Sequence, residues 1–331
     1  MKDKIILIIK IVLVVVFFPL VAAAFLVSCL VNLIIRVKNK KLVETPLGQY
    51  IEVDGHRMSV LVKGRGARTI VFLPGMASTS PILEFKPLYS LLENDFKIVV
   101  PEKFGYGQSD IVKENRDYMN TVEQYRKALA MLGIEGPYIL CAHSLGGNEV
   151  ELWEQHYPDE VEAFVGIDAN LANVPCDWDK DFWYRHWKLE AFYSNLLRIA
   201  GWCRRYFRPG LKKLLTKEEV RIYKELSCKN ESNPVIYSEM HNKFAANDLI
   251  NSRPLPTQPT IQFVNAPAWY VKGEEGKFGP YEEDWIKAHQ DFAAASERSK
   301  ILYFDCGHCI HCFAYEQLAK EIKEFVKPTE E

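Results

Sequence analysis

One strand-turn-helix segment constrains the fold of this chain more than any other. The run at 137–140 predicts a short buried strand, and the apolar residues of 148–155 recur at helical spacing. Ser144 stands between them, with Ala142 two positions before it and Gly146 two positions after it. Larger side chains at those two positions would collide with the neighbouring strand or helix in so tight a turn. The pattern predicts a serine hydroxyl lifted above a sheet edge at the N-terminus of a helix.

Three further strand-like runs each lead directly into a loop that contains glycine. The runs and their loops are 69–73 with Pro74-Gly75-Met76-Ala77-Ser78, 96–100 with 101–110, and 300–304 with Asp305-Cys306-Gly307-His308. The second loop contains the pattern Gly-x-Gly-x-Ser at 105–109, and a helical stretch at 313–326 follows the third.

Taken in this order, the motifs resemble the α/β-hydrolase superfamily, in its single-domain esterase, lipase and peptidase-like branch. The resemblance covers roughly Gly48 to Val326, and its departures are mild: Ala142 for Gly, Pro74 for His and Glu102 for Asp. It implies an α/β fold with a mostly parallel eight-stranded sheet, helices on both faces and a helical cap. We expect this domain to occupy residues 45–331.

The resemblance implies a serine hydrolase. Ser144 is expected to be the nucleophile, and His308 the general base that removes its proton and returns it to the leaving group. The backbone N–H groups of Met76 and Leu145 are expected to form the oxyanion hole.

Two other histidines compete for the role of base. His143 adjoins Ser144, but on such a turn its side chain would point away from the hydroxyl. His311 is close to His308 in the chain, and the Gly307-His308 pair after the last strand favours His308.

The sequence leaves the acid of the triad open. In most of the family it follows the seventh strand, here 260–264, but this chain has no carboxylate there before Glu274 and Glu275. Asp168 directly follows the sixth predicted strand, a position that some α/β-hydrolases use because the two strand ends are neighbours. Asp168 is therefore favoured, with Glu274, Glu275 or a missing acid as alternatives. Two further carboxylates are expected to be structural: Glu102 and Asp305.

The N-terminus predicts a single membrane-spanning helix. Residues 11–35 contain no charge, and as a helix they span about 37 Å, against a hydrocarbon core of about 30 Å. The segment is too long for the apolar region of a secretory signal. We expect an anchor and linker at 1–44 and a location in the cell membrane. Cations flank the segment on both sides, so only analogy with anchored bacterial hydrolases favours an extracytoplasmic domain.

A cap insertion is expected at about 170–256, between the sixth and seventh strands, where the chain is rich in aromatic residues. Most of these aromatics are expected to pack the cap, with one or two lining the substrate cavity. Together with the anchor, they favour an apolar small-molecule acyl or ester substrate.

Composition excludes some functions. A formal charge of −2 provides no basic surface for nucleic acid. Cys306, Cys309 and Cys312 alternate with two histidines, which suggests a metal site. No second ligand cluster exists and the loop carries His308, so we expect neither metal nor cofactor. Several free thiols suggest a reducing or anaerobic setting, or a cytoplasmic-facing domain.

Two classes of function remain. The first is a hydrolase of a carboxylic ester or related acyl bond, and the second is a catalytically reduced membrane scaffold, suggested by the irregular acid position. Dehalogenase and epoxide-hydrolase chemistry is disfavoured, because those enzymes have an aspartate where this chain has Ser144.

Overall fold

The computed structural model of the 331-residue chain describes residues 2–175, 185–279 and 281–327, with residues 2–16 described as backbone only. The first element is a single helix, α1 (Lys2–Glu44), which runs through Pro19 without a break in its assignment. It is longer at both ends than the predicted span. Within the described residues it is the one helix long and apolar enough to cross a membrane, and little of it is buried.

The described part of the chain forms one eight-stranded sheet, as the sequence predicts. The strands are β1 (Gln49–Val53), β2 (His56–Lys63), β3 (Thr69–Leu73), β4 (Lys97–Glu102), β5 (Tyr138–His143), β6 (Val161–Ile167), β7 (Thr260–Asn265) and β8 (Ser299–Phe304). Their order is β1-β2-β4-β3-β5-β6-β7-β8. The pairs β1/β2 and β2/β4 are antiparallel, and the remaining pairs are parallel.

Helices cover both faces of this sheet. Those in the core domain are α2 (Pro81–Glu84), α3 (Lys86–Leu92), α4 (Tyr118–Met131), α5 (Gly146–His156), α9 (Ala268–Val271), α10 (Glu282–Ala295), α11 (Ile310–Phe313) and α12 (Tyr315–Phe325). Those between β6 and β7, here called the cap, are α6 (Trp187–Ala200), α7 (Lys217–Asn230) and α8 (Pro234–Asn251).

Strand β3 shows how the two faces are filled. Val71 and Leu73 join the apolar core beneath α4 and α5, which contains Trp153, whereas Ile70 and Phe72 join the core beneath α3 and α12. Alternate residues of a strand point to opposite faces, so a fully apolar strand serves both cores.

Short breaks divide two helical regions of the core domain. The region after β3 is divided at Phe85 into α2 and α3. Pro87 lies in the first turn of α3, where its missing N–H costs nothing, but it could not donate within a continuous helix. The helix expected at 313–326 is observed as α12, preceded by the short helix α11.

Candidate active site

Ser144 lies at the turn between β5 and α5, in a left-handed backbone conformation with φ +53°. This region is unfavourable for a residue other than glycine, so the surrounding structure must hold it. The Ser144 carbonyl accepts hydrogen bonds from the N–H groups of Gly147 at 2.9 Å and Asn170 at 2.7 Å. The turn is therefore held by hydrogen bonds from α5 and from the loop after β6.

Close backbone packing around Ser144 requires small neighbours. A Cβ atom on Gly75 would lie 2.6 Å from Ser144 Cβ, and one on Gly146 would lie 2.7 Å from the Leu73 carbonyl oxygen. Both distances are too short for non-bonded carbon contacts. The small residue that the sequence pattern requires at 146 therefore has a direct steric reason.

His308 and Asp168 meet at the carboxyl ends of β8 and β6. The His308 Nδ1–H donates a hydrogen bond to Asp168 Oδ2 at 2.6 Å. Asp168 is 3% exposed, whereas the His308 side chain is 46% exposed. Because Nδ1 carries the proton in this bond, the lone pair of Nε2 remains available to accept a proton.

The second carboxylate oxygen of Asp168 also accepts hydrogen bonds. Asp168 Oδ1 accepts hydrogen bonds from the indole N–H of Trp285 at 3.0 Å and from the Asn265 backbone N–H at 2.9 Å. These two donors orient the carboxylate and leave Oδ2 facing His308. Sequence reasoning missed Trp285, which lies on α10.

The other carboxylates considered from the sequence lie elsewhere. Glu274 and Glu275 are exposed, and the described contacts of His308 include neither of them. Glu102 is buried, and it accepts hydrogen bonds from the Ser80 hydroxyl at 3.0 Å and the Gln108 N–H at 2.7 Å. Glu102 therefore holds the loop after β4, while Asp305 is exposed in the loop after β8.

The two competing histidines are buried and packed together. His143 Nε2–H donates to the His308 carbonyl oxygen at 3.0 Å, so His143 supports the loop that carries His308. Burial lowers the pKa of His143 well below its usual value, with contributions from His311 and His308. Burial also lowers the pKa of His311 to about 3, helped by Arg208. Both rings are neutral at pH 7.

The predicted oxyanion donors lie on either side of Ser144. Met76 follows Gly75, which is pressed against Ser144, and Leu145 forms the N-cap of α5. Neither N–H group donates a hydrogen bond within the described chain. Leu145 lies at the start of α5, where the helix dipole favours negative charge.

A buried polar network connects the loop after β3 with the cap. The Ala77 N–H donates to the Tyr106 hydroxyl at 3.1 Å, and that hydroxyl donates to Glu239 of α8. The Lys103 ammonium lies 2.6 Å from Glu149 of α5 and 3.3 Å from Glu239. Loss of Lys103 would leave both buried carboxylates without their cation.

A cavity of about 220 Å³ opens beside Met76, between the loop after β3 and the cap. Its wall combines apolar side chains with two carboxylates. The residues that line the cavity include Met76, Glu190, Glu231, Ile236, Tyr237 and Met240.

The described chain contains both disulfide-bonded and free cysteines. Cys203 and Cys228 form a disulfide within the cap, a pairing that the sequence did not indicate. Cys306, Cys309 and Cys312 are free thiols. Within the described ranges, no group of three or more His, Cys, Asp or Glu side chains is placed to hold a metal ion.

The chain belongs to the alpha/beta hydrolase fold family, whose sequence model matches residues 68–315. The uncharacterized protein YbdG of Bacillus subtilis (strain 168) is 29% identical over 286 residues, covering 85% of this chain and 86% of YbdG.

Solved structures share the fold at low sequence identity. A thermophilic esterase from Thermogutta terrifontis is 15% identical with a TM-score of 0.62, covering 84% of this chain and 98% of the esterase. The Cif epoxide hydrolase from Acinetobacter nosocomialis is 16% identical with a TM-score of 0.66, covering 90% of this chain and 97% of that enzyme. Esterases and epoxide hydrolases both have this fold, so the site must decide the chemistry.

Proposed function

We propose that this protein is a serine hydrolase that cleaves a carboxylic ester or related acyl bond through an acyl-enzyme on Ser144. The observation that carries the proposal is the 2.6 Å hydrogen bond between His308 Nδ1 and Asp168 Oδ2. It lies at the sheet edge where Ser144 occupies its left-handed turn. The Thermogutta esterase, which shares the fold, supports the same class of reaction.

Each residue has a separate role in this mechanism. His308 Nε2 accepts the proton of the Ser144 hydroxyl as its oxygen attacks the acyl carbon. The N–H groups of Met76 and Leu145 stabilise the oxyanion of the tetrahedral intermediate, and one such donor contributes about 2.7–4 kcal/mol. His308 then protonates the leaving alkoxide, and water repeats the sequence to release the acid.

Asp168 acts through His308. Its buried carboxylate fixes the imidazole tautomer and stabilises the imidazolium that forms during acylation. Because Asp168 is 3% exposed, its charge acts with little screening by water. The hydrogen bonds from Trp285 and Asn265 hold the carboxylate in place, so it does not have to move during the reaction.

A cavity next to Met76, a proposed oxyanion donor, bears on the size of the substrate, although its lining contains neither Ser144 nor His308. We propose that it accepts the acyl group. Its volume of about 220 Å³ is below the usual range of ligand pockets, about 300–1,000 Å³, so a short acyl group fits better than a whole lipid chain. Met76, Ile236 and Met240 supply apolar surface. Burial raises the pKa of Glu231, and the nearby Glu190 raises it further. These carboxylates disfavour a substrate with a free carboxylate.

Hydrolysis of aryl esters tests the function directly. The full chain should hydrolyse 4-nitrophenyl acetate and butyrate faster than the decanoate, because the longer chain exceeds the cavity. One equivalent of a fluorophosphonate should abolish this turnover. Absence of turnover for all three esters, with no modification by the fluorophosphonate, would favour the scaffold function instead.

Trp285→Phe should slow fluorophosphonate labelling by about tenfold to a hundredfold, since a hydrogen bond to a charged group contributes about 1.5–3 kcal/mol. An aromatic ring is retained, although a smaller one, but Asp168 Oδ1 loses its indole donor. Trp269→Phe provides the matched control, because Trp269 packs on Phe278. Equal labelling rates for the two variants would show that Trp285 does not orient the acid.

We also propose that α1 anchors the protein in the cell membrane. Its length and apolar composition suffice to cross a bilayer, and its described side chains are mostly exposed. A buried helix of a soluble domain would instead be covered by protein.

A further inference from the structure

Helix α6 of the cap exposes its apolar side, and its buried residues are only Ser194 and Ala200. Its outward residues, together with the following Trp202, are each more than 40% exposed: Leu189, Phe192, Tyr193, Leu197, Ile199 and Trp202. At 100° per residue the five helical members occupy less than half of the helix circumference. This set is called the outer face of α6 below.

The inward side of α6 carries hydrogen bonds instead. Ser194 is buried and donates to Glu190 at 2.7 Å, and Tyr237 of α8 donates to the same carboxylate. A helix on the surface of a soluble domain has the opposite arrangement, with apolar residues inward. A contiguous exposed apolar face of this kind indicates a binding surface.

The outer face is continuous with α1. Asn32 is buried against the C-terminus of α6, where its amide donates to the carbonyl oxygens of Arg198 at 3.1 Å and Ile199 at 2.7 Å. The rings of Phe25 and Trp202 lie edge to face with centroids 6.3 Å apart. The end of the outer face therefore lies directly beside the apolar part of α1.

The position of α1 in the bilayer determines how far the contact between Phe25 and Trp202 lies below the edge of the hydrocarbon core. A hydrocarbon core of about 30 Å accommodates about 20 of the 25 uncharged residues of α1. For this proposal we place the span at residues 11–30, with most of the cap outside the core. Phe25 then lies about 8 Å below the edge of the core, and Asn32 lies just outside it. Interfacial helices insert their apolar faces by about 5–10 Å. Trp202 lies beside Phe25, so its depth below the edge of the core is within that range.

Exposed positive charge in both elements fits an anionic lipid surface. Exposed cations follow the apolar segment of α1 and also occur in the cap, on α6 and in the segment after it. They are Arg36, Lys38, Lys40 and Lys41 on α1, and Lys188, Arg205, Lys212 and Lys213 in the cap. Basic residues beside a membrane-spanning helix are attracted to anionic lipid headgroups.

We propose that the outer face of α6 binds the bilayer, so that the cap lies in the interface of an anionic phospholipid membrane next to α1. The inner side of the same helix contributes Glu190 to the cavity beside Met76. A single helix, about 10 Å across, thus separates the cavity from lipid, and a substrate dissolved in the bilayer has a short path to it. This inference rests on the proposed anchoring by α1 and not on the hydrolase chemistry.

Photocrosslinking from single sites in the full chain tests this surface. A benzophenone amino acid replaces Phe192 in one protein and Met131 of α4 in another; both side chains are 58% exposed. Each protein is inserted into vesicles of phosphatidylethanolamine and phosphatidylglycerol, illuminated and analysed by mass spectrometry. We expect at least tenfold more phospholipid adduct from position 192 than from position 131, and circular dichroism confirms that both proteins are folded.

Three results would overturn the proposal. Adducts from position 192 to a second copy of the chain would make the outer face a protein interface. Equal, low lipid adducts from both positions, in protein that resists extraction with carbonate, would refute the interfacial location while leaving the anchor intact. Extraction of the full chain by carbonate would refute the anchoring and this inference together. None of these outcomes depends on ester hydrolysis.

Discussion

Replacement of His308 by alanine is expected to lower kcat for a short aryl ester by about 10⁶-fold, the loss seen when a triad base is removed. The physical reason is that the two neighbouring histidines are weak bases. Burial lowers the pKa of His143 well below its usual value and that of His311 to about 3. Neither ring replaces the half-exposed imidazole of His308.

Chemical rescue distinguishes loss of the base from loss of the fold. Imidazole added to His308→Ala should restore part of the activity, because the exposed position of the missing ring admits a small base. His56→Ala provides the matched control, since His56 is also partly exposed and pairs with Glu114 on the surface. Activity of His308→Ala within tenfold of wild type would exclude His308 as the base.

Asp168→Asn is expected to lower kcat by about 10⁴-fold, as the same change does in a serine protease triad. The structure explains which way the amide would face. Trp285 and Asn265 both donate to Oδ1, so the asparagine oxygen remains there and its NH₂ group faces His308. His308 Nδ1 must then be an acceptor, which puts the proton on Nε2, where it cannot receive one from Ser144.

Two matched variants test the choice of acid. Glu274→Gln and Glu275→Gln make the same carboxylate-to-amide change at exposed positions, and we expect kcat to change by less than about twofold, as is usual at surface sites. Steady-state kinetics on the same ester compares all three variants. A large loss in either glutamate variant, with Asp168→Asn near wild type, would reverse the assignment.

Much of the fold could be predicted because the sequence patterns that indicate its strands and turns lie within short segments of the chain. β-branched and apolar runs defined β3, β4, β5, β7 and β8 to within a few residues, and the small residues around Ser144 indicated the turn between β5 and α5. Asp168 could be chosen because β6 and β7 are neighbours in the sheet, which brings the ends of the two strands together. The contact between Asp168 and His308 supports the proposed hydrolase over the reduced scaffold that the irregular position of the acid suggested.

Other features depend on contacts between distant parts of the chain. Trp285 lies 117 positions after Asp168, and nothing in its local sequence distinguishes it from an ordinary helical tryptophan. The same is true of the Cys203–Cys228 disulfide. The outer face of α6 has normal amphipathic spacing, so the sequence shows an apolar side but not that this side is exposed. Only the packing of Glu190 and Ser194 shows which side faces inward.

The most direct test of the central claim is the site of covalent modification by a fluorophosphonate. Peptide mass spectrometry of the labelled full chain should find about one adduct per molecule, on the peptide that contains Ser144, because only an activated serine displaces the fluoride rapidly. Ser144→Ala should show no adduct under the same conditions. An adduct on another residue, or undiminished labelling of Ser144→Ala, would contradict the assignment of Ser144 as the nucleophile.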